Sequence, residues 1–186
     1  MNNEENISME GFYHKFSIKS KNYVKNKFLQ EFNYKHDNSF YPVVKRNLYE
    51  LTLYQVAYFS KLMQCENIAE FVNKCHTHKE LKTIDIETSS PFEIISFKPV
   101  TAKGLFDSLE KHERLHIKNS FMLDFDMVEK AFYDVIKRNL YMTLFGQTMY
   151  LSKILKYQNI ETFIEDCSSF EPKPRKSRKN IYKKTG

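Results

Sequence analysis

Residues 40–75 read FYPVVKRNLYELTLYQVAYFSKLMQCENIAEFVNKC, and residues 132–167 read FYDVIKRNLYMTLFGQTMYLSKILKYQNIETFIEDC. Sixteen of the 36 aligned positions are identical at an offset of 92 residues. The likeness continues upstream at an offset of 93, where Gly11 matches Gly104. The chain therefore contains two homologous repeats of about 65 residues each. Duplication is more typical of a packing or binding surface than of a catalytic site.

The apolar residues of each repeat recur at three- and four-residue steps, which is the period of an α-helix. One apolar stripe covers 44–62 and its counterpart covers 136–154, and no proline interrupts either stretch. We therefore expect a single long helix over each stretch. A second, short helix should begin after Asn67 and Asn159, because an Asn just before an apolar pair is typical of a helix N-cap.

Composition supports an all-α fold and divides the chain into five segments. Four Gly and five Pro in 186 residues leave few tight turns, which disfavours a β-sandwich or barrel. We expect the two repeats to pack as a pseudo-twofold helical bundle. The segments are a disordered leader (1–10), repeat 1 (11–75), a linker that is extended or forms a short hairpin (76–103), repeat 2 (104–167) and a disordered basic tail (168–186).

Charge and cysteine content favour a soluble cytoplasmic protein. Lys and Arg number 29 against 23 Asp and Glu, and seven of the basic residues lie in 173–184 without any acid. The rest of the chain is therefore close to neutral. Three cysteines cannot form a closed disulfide framework, which favours a reducing compartment. No stretch approaches 18 consecutive apolar residues, so neither a signal peptide nor a membrane span is predicted.

The predicted long helices are also apolar on the side opposite the main stripe. A helix that is apolar on two faces is either buried between two layers or presents one face to a partner. We expect the second arrangement in a chain with few helices to cover both faces. The residues of this predicted partner surface are Tyr49, Leu53, Val56, Tyr141 and Phe145.

Amide side chains recur on or beside the main apolar stripe of both repeats. A buried amide commonly fixes the register between packed helices at some cost in stability. We predict this register role, with hydrogen bonding to a ligand as the alternative. The four residues are Asn47 and Gln55 in repeat 1 and Asn139 and Gln147 in repeat 2.

Two clusters match metal-binding patterns, and each occurs in one repeat only. The string HERLH fits the H-E-x-x-H zinc signature, with His112 and His116 as ligands and Glu113 activating a water. Its neighbours are charged, so an exposed helix face is the favoured interpretation and a small metalloenzyme the alternative. The string CHTH at 75–78 offers three soft ligands, but the equivalent cysteine of repeat 2 is followed by two serines. We interpret it as a buried helix end beside a polar linker.

The sequence contains no Gly-rich phosphate loop, no G-x-S-x-G elbow and no paired C-x-x-C motifs, so we predict a non-enzyme without a cofactor. The KR pairs at 45–46 and 137–138 are expected on a solvated face, with binding of acidic groups as the alternative. A nucleic-acid-associated protein remains the alternative function, because a basic tail binds polyanions through counterion release. Its predicted contacts are Lys173, Arg175, Lys176, Arg178 and Lys179.

The KRNLY start, the Gln and Ser-Lys positions that follow it and the Asn-Ile-x-x-Phe helix resemble the pattern of the phasin family, over about 30 residues in each copy. This chain is more aromatic than that pattern and is duplicated. The resemblance implies a mostly helical, oligomeric protein that coats polyhydroxyalkanoate granules in the cytoplasm. We therefore expect a non-enzymatic protein that presents amphipathic helices to a hydrophobic granule surface or to a protein partner.

Overall fold

The computed structural model describes residues 6–87 and 97–170, and these residues are mostly helical. The α-helices are α1 (Glu10–His14), α2 (Ile18–Glu31), α3 (Phe40–Lys45), α4 (Leu53–Leu62), α5 (Ile68–Thr77), α6 (Lys103–Ser108), α7 (Lys111–Asp124), α8 (Glu129–Lys137), α9 (Phe145–Ile154) and α10 (Ile160–Ser169). Four short 3-10 helices cover Asp37–Ser39, Leu48–Glu50, His78–Glu80 and Leu140–Met142. Within the described ranges there are isolated bridges but no β-strand, so the all-α fold is confirmed.

The order of elements in the first half recurs in the second half. Helices α2 and α7 have 14 residues each, and α4, α5, α9 and α10 have 10 each. A 3-10 turn precedes α4 in one half and α9 in the other. None of the helices described is long and apolar enough to cross a membrane.

The single long helix expected over 44–62 is wrong. The chain leaves the helical conformation after α3, forms the 3-10 turn Leu48–Glu50 and starts again at α4. Asn47 accepts a hydrogen bond from the Tyr49 N–H and begins the turn, and Thr52 and Gln55 form a capping box that begins α4. Each cap satisfies backbone N–H groups that a continuous helix would bond internally. The equivalent stretch 136–154 is broken in the same place.

The predicted N-caps of the last helix in each repeat are confirmed. Asn67 accepts from the Glu70 N–H at 2.8 Å, and Asn159 accepts from the Thr162 N–H at 2.8 Å. Both Asn residues have extended backbone angles, as an N-cap requires. The short helices α5 and α10 therefore start where the sequence pattern places them.

An aromatic cluster forms the centre of each half. The Phe28 and Phe32 ring centroids lie 4.5 Å apart at an angle of 32°, and the equivalent Phe121 and Phe125 centroids lie 4.6 Å apart at 34°. Phe28 and Phe121 are both fully buried. The clusters are completed by Tyr13, Phe40 and Tyr58 in repeat 1 and by Phe106, Phe132 and Tyr150 in repeat 2.

Two glycines at equivalent positions let the first and last helices of each half approach closely. A Cβ built on Gly11 would collide with the His78 ring, and a Cβ built on Gly104 would lie 2.7 Å from the Phe170 Cβ. His78 and Phe170 are themselves equivalent positions, 92 residues apart. Close packing of the helix ends therefore explains why glycine occurs at both sites.

The expected leader and linker are both shorter than predicted. Ile7 and Val100 are buried, and their carbonyl oxygens accept hydrogen bonds from the N–H groups of Leu48 at 2.8 Å and Leu140 at 2.7 Å. These two bonds occupy equivalent places in the two halves, upstream of the first positions at which the sequences are alike. At the other end, α10 continues to Ser169, beyond the predicted boundary.

The connection between the repeats is described only in part. Ile84 bridges Phe16 in a parallel arrangement, and the Ile84 N–H donates to the Lys15 carbonyl oxygen at 2.8 Å. The start of the linker is therefore fixed to repeat 1. The predicted hairpin falls largely on 88–96 and the predicted basic tail on 171–186, and both stretches lie outside the described residues.

Candidate binding grooves at the interface between the repeats

Two backbone hydrogen bonds join the halves of the molecule. The Leu53 N–H donates to the Thr143 carbonyl oxygen at 2.9 Å, and the Phe145 N–H donates to the Leu51 carbonyl oxygen at 2.7 Å. Thr143 is equivalent to Leu51, and Phe145 is equivalent to Leu53, so each bond is the counterpart of the other. This pair of bonds, which we call the inter-repeat bridge, places the first turns of α4 and α9 side by side.

The residues of the predicted partner surface lie in or beside the contact between the two halves. The prediction that they form an exposed face is therefore wrong. Leu53, Val56 and Phe145 are fully buried. Tyr49 is half-buried and stacks on Phe145, with ring centroids 5.6 Å apart, and Tyr141 is half-buried as well. The physical reason is that the other repeat covers much of the second apolar face. Burial between layers, the arrangement that the sequence left as the alternative, is the one that occurs.

The four amides predicted to set helix register lie at or near helix starts. Asn47 and Asn139 cap the two 3-10 turns, and Gln55 completes the capping box of α4. Asn139 also accepts from the Val100 N–H at 3.3 Å. Only Gln147 is buried within a helix. Three of the four amides therefore act on the local backbone rather than between packed helices.

A groove opens on one side of the inter-repeat bridge, with a volume of about 300 Å³. We call it the first groove. Its floor is apolar, and its rim carries Asn73, Gln158 and the exposed His76. The residues that shape it are Ile68, Ala69 and Val72 from α5 and Phe145, Met149 and Ile160 from the second half.

A second groove, of about 250 Å³, opens on the other side of the bridge. Its rim is charged and carries Lys61, Glu66, Glu161 and Glu165. The Glu161 carboxylate accepts a hydrogen bond from the Ile68 N–H at 2.7 Å, at the start of α5. The apolar part of this second groove is formed by Ala57, Phe97, Tyr141 and Ile164.

The two grooves occupy equivalent positions in the two halves but differ in charge. Val72 in the first groove corresponds to Ile164 in the second, so the apolar character is kept. Ala69 corresponds to Glu161, Asn73 to Glu165 and Gln158 to Glu66. These three replacements give the second groove three carboxylates where the first has none. The two halves therefore contain apolar grooves at equivalent positions that differ in charge.

The sequence did not predict the grooves, although part of the signal was present. Helices α5 and α10 are amphipathic, and the Ile and Phe of the Asn-Ile-x-x-Phe pattern lie on the buried face of each helix. Val72 and Ile164 lie on these helices at equivalent positions, where Val72 is partly buried and Ile164 is buried. An apolar residue at both places was the available sign of a groove.

The H-E-x-x-H string lies on α7, and His112, Glu113 and His116 are exposed. Glu113 accepts a hydrogen bond from the Glu110 N–H at 2.9 Å and so takes part in the capping box that starts α7. In the described ranges no group of three or more His, Cys, Asp or Glu residues is arranged to hold a metal ion. The string thus has a local structural role as a helix start.

The CHTH string ends α5. Cys75 is buried, and the His78 ring nitrogen Nδ1 lies 2.8 Å from the Cys75 carbonyl oxygen. Burial raises the pKa of the Cys75 thiol, and it raises the pKa of Cys65 to about 11 and that of Cys167 to about 12. A thiol reacts as the thiolate, so burial makes all three cysteines poor nucleophiles at neutral pH.

The basic pairs beside the helix breaks have local contacts. Lys45 Nζ lies 3.5 Å from a carboxylate oxygen of Glu10, and Lys137 Nζ lies 5.7 Å from the centroid of the Tyr133 ring. Both pairs are exposed, as expected for a solvated face. The five basic residues predicted to contact nucleic acid lie outside the described residues.

Comparison with protein-family models, with curated proteins and with solved structures gave no match for this chain. The resemblance to phasins therefore rests on the sequence pattern alone.

Proposed function

We propose that this protein is a non-enzymatic binding protein in which two homologous repeats pack about a pseudo-twofold axis and bind a protein partner in the first groove. The observation that supports the axis is the reciprocal inter-repeat bridge between 51–53 and 143–145. A residue pairs with its own counterpart only where such an axis passes, and Thr52 pairs with Leu144. The two grooves then flank the axis as related sites.

The composition of the first groove fits an anchor side chain from a protein. Phe145, Met149 and Val72 form an apolar floor, and the rim is polar but carries no carboxylate. Binding interfaces concentrate their free energy where a large apolar side chain fills a desolvated pocket inside a polar rim. A volume of about 300 Å³ lies at the lower end of the range for ligand sites, so one or two large side chains suffice to fill it.

The substitution Ala69→Glu tests this proposal, because it places in the first groove the residue that the second groove has at the equivalent position. The matched control is Asn119→Glu, which adds the same charge at an exposed site on α7. Affinity recovery from the native host should yield a protein that wild type and Asn119→Glu retain and Ala69→Glu loses. Equal recovery by all three forms, or no recovery by wild type, would contradict the proposal.

A second candidate function is phasin-like adsorption to a hydrophobic body, using residues other than the predicted surface. Leu115 and Leu123 lie two turns apart on α7 and are 51% and 84% exposed, and Val128 beyond them is 71% exposed. Burying one such side chain contributes about 1.5–3 kcal/mol, so three together are enough for weak adsorption.

Adsorption is tested with the variant Leu115→Ser/Leu123→Ser. Wild type should bind apolar particles and, when tagged, should collect on granules in cells that contain them, and the variant should remain diffuse. Glu80→Gln/Asp85→Asn serves as a control because it changes two exposed residues elsewhere on the surface. If the wild-type protein stays diffuse in such cells, the adsorption proposal fails.

A further inference from the structure

We propose that the second groove binds a segment of this same chain, the basic stretch 173–184. The groove offers a charged rim with Glu66, Glu161 and Glu165 and an apolar floor with Tyr141 and Phe97. The proposal concerns the second groove only. It therefore stands or falls independently of partner binding in the first groove.

Charge complementarity identifies the occupant. Three carboxylates line the second groove against one ammonium group, that of Lys61. Within the part of the chain that is described, Glu66 and Glu165 form no salt bridge, although Glu66 lies within electrostatic range of the Lys74 ammonium group. The segment supplies Lys173, Arg175, Lys176, Arg178, Lys179, Lys183 and Lys184 without any acid.

The difference between the two grooves strengthens this assignment. The first groove has the same position between the repeats but carries Ala69 and Asn73 where the second has Glu161 and Glu165. A ligand recognised by shape alone would fit both grooves. A basic ligand would bind the second groove in preference, because electrostatic complementarity selects between sites of similar shape.

The point at which the described chain ends puts the segment within reach. Helix α10 forms one wall of the second groove and ends at Ser169. Returning along the helix from Ser169 to Glu161 covers about 12 Å at 1.5 Å per residue. A chain spans up to about 3.3 Å per residue, so four to five residues suffice to bring the basic stretch to the rim. Because the segment is tethered, binding is intramolecular and needs no high concentration.

The segment also contains apolar side chains that can pack on the floor of the second groove. Ile181 and Tyr182 stand between Lys179 and Lys183, so an apolar pair is flanked by cations. The groove has the same arrangement, with Tyr141 and other apolar side chains below the carboxylates. Aromatic and aliphatic contacts would add to the ion pairs, which by themselves contribute little at an exposed site.

Occupation of the groove has a consequence for polyanion binding. Cations engaged by the rim carboxylates are not free to contact phosphates, so the docked segment would bind nucleic acid more weakly than the released one. Neutralising the rim carboxylates should therefore raise the affinity of the full chain for a single-stranded oligonucleotide at low salt.

Paramagnetic relaxation in the full-length protein tests the docking. A nitroxide attached to Ser177→Cys is selective because the three native cysteines are buried. We expect strong broadening of the Ala57 and Ile164 amide signals in the second groove. The equivalent amides of the first groove, Met149 and Val72, should be broadened several-fold less and serve as internal controls.

Two variants and one mixing experiment complete the test. Glu66→Gln/Glu165→Gln should reduce the broadening several-fold, and the charge-matched control Glu80→Gln/Asp85→Asn should leave it unchanged. Broadening of both grooves alike, or equal loss in both variants, would overturn the proposal. The mixing experiment combines spin-labelled protein without ¹⁵N with ¹⁵N-enriched protein without the spin label. Broadening in this mixture as strong as in a chain that carries both would show that a second copy supplies the segment. That result would also overturn the proposal.

Discussion

Thr52 forms an antiparallel bridge with Leu144, the residue at the same position of the other repeat. The hydrogen bonds on either side are reciprocal and differ in length by only 0.2 Å, at 2.9 and 2.7 Å. The second apolar faces of the two repeats pack against each other at this bridge. Most of the residues that looked like an exposed binding surface therefore belong to the interior of the molecule.

Truncation of the two equivalent interface residues should be costly. Leu53→Ala should lower the free energy of unfolding by about 2–5 kcal/mol and Phe145→Ala by about 3–5 kcal/mol, because both side chains are fully buried. Urea unfolding measures both values. The control Leu123→Ala, at an exposed site, should change stability by less than about 0.5 kcal/mol. Values near zero at Leu53 and Phe145 would restore the interpretation of an exposed surface.

The two equivalent glycines should differ in their tolerance of alanine. A Cβ on Gly104 would lie 2.9 Å from the Phe170 carbonyl oxygen, which the backbone holds in place, whereas the three atoms nearest a Cβ on Gly11 all belong to the His78 side chain. Gly104→Ala should therefore destabilise the protein by about 1–3 kcal/mol, as overpacking does. Gly11→Ala should cost less, and His78→Ala should relieve most of that cost. Thermal unfolding of Gly104→Ala, Gly11→Ala, His78→Ala and the double variant Gly11→Ala/His78→Ala gives the comparison, and equal losses for both glycines would contradict it.

Ala69→Glu should stabilise the fold although it closes the first groove. In the second groove Glu161 accepts a hydrogen bond from the Ile68 N–H at the start of α5. The new carboxylate would meet the equivalent Ile160 N–H at the start of α10, where negative charge is favourable. We expect a gain of about 0.5–1 kcal/mol in the free energy of unfolding. Asn119→Glu should show no such gain, and a loss of stability in Ala69→Glu would count against equivalence of the grooves.

Stability should decline on the alkaline side of neutrality. Burial raises the pKa of Cys65 to about 11 and of Cys167 to about 12, above the value of about 8.5 for an exposed thiol. Between these values the unfolded chain loses protons that the folded chain keeps, so the free energy of unfolding falls as pH rises. The stabilisation is complete below about pH 8.5 and is lost progressively as pH rises toward the folded pKa values.

Chemical denaturation at pH 7.5, 9 and 10.5 measures this decline. The variant Cys65→Ala should show a shallower fall between pH 9 and 10.5, because one of the groups responsible is absent. A free energy of unfolding that stays constant over this range would show that the thiols are accessible to solvent in the folded protein.

Sequence patterns predicted the local structure where the signal lies within a few residues. The Asn67 and Asn159 caps and the all-α class follow from residue type and periodicity. The break at Asn47 was missed because apolar periodicity continues through it, and Leu48 and Leu51 are both buried. A sign of the break was present, since Thr52 and the Gln three residues later have the spacing of a capping box.

The grooves could not be predicted because they depend on how the repeats meet. Periodicity shows that a helix has two apolar faces, but it does not show what covers the second face. The charge difference between Ala69 and Glu161 indicates two different grooves only when both residues are known to lie at equivalent groove rims. Tertiary packing thus decided which apolar residues were surface and which were interior.

A disulfide between Thr52→Cys and Leu144→Cys tests the central claim, which is that the two repeats meet at equivalent positions. The flanking hydrogen bonds make this a non-hydrogen-bonded antiparallel pair, in which opposite Cα atoms lie about 4.5 Å apart, within the range that a disulfide spans. Each single variant serves as a control. We predict that mild oxidation of the double variant gives an intrachain disulfide, seen as a faster-migrating monomer on a non-reducing gel, and that it raises Tm. A double variant that stays reduced, or that forms only crosslinked dimers, would contradict the account.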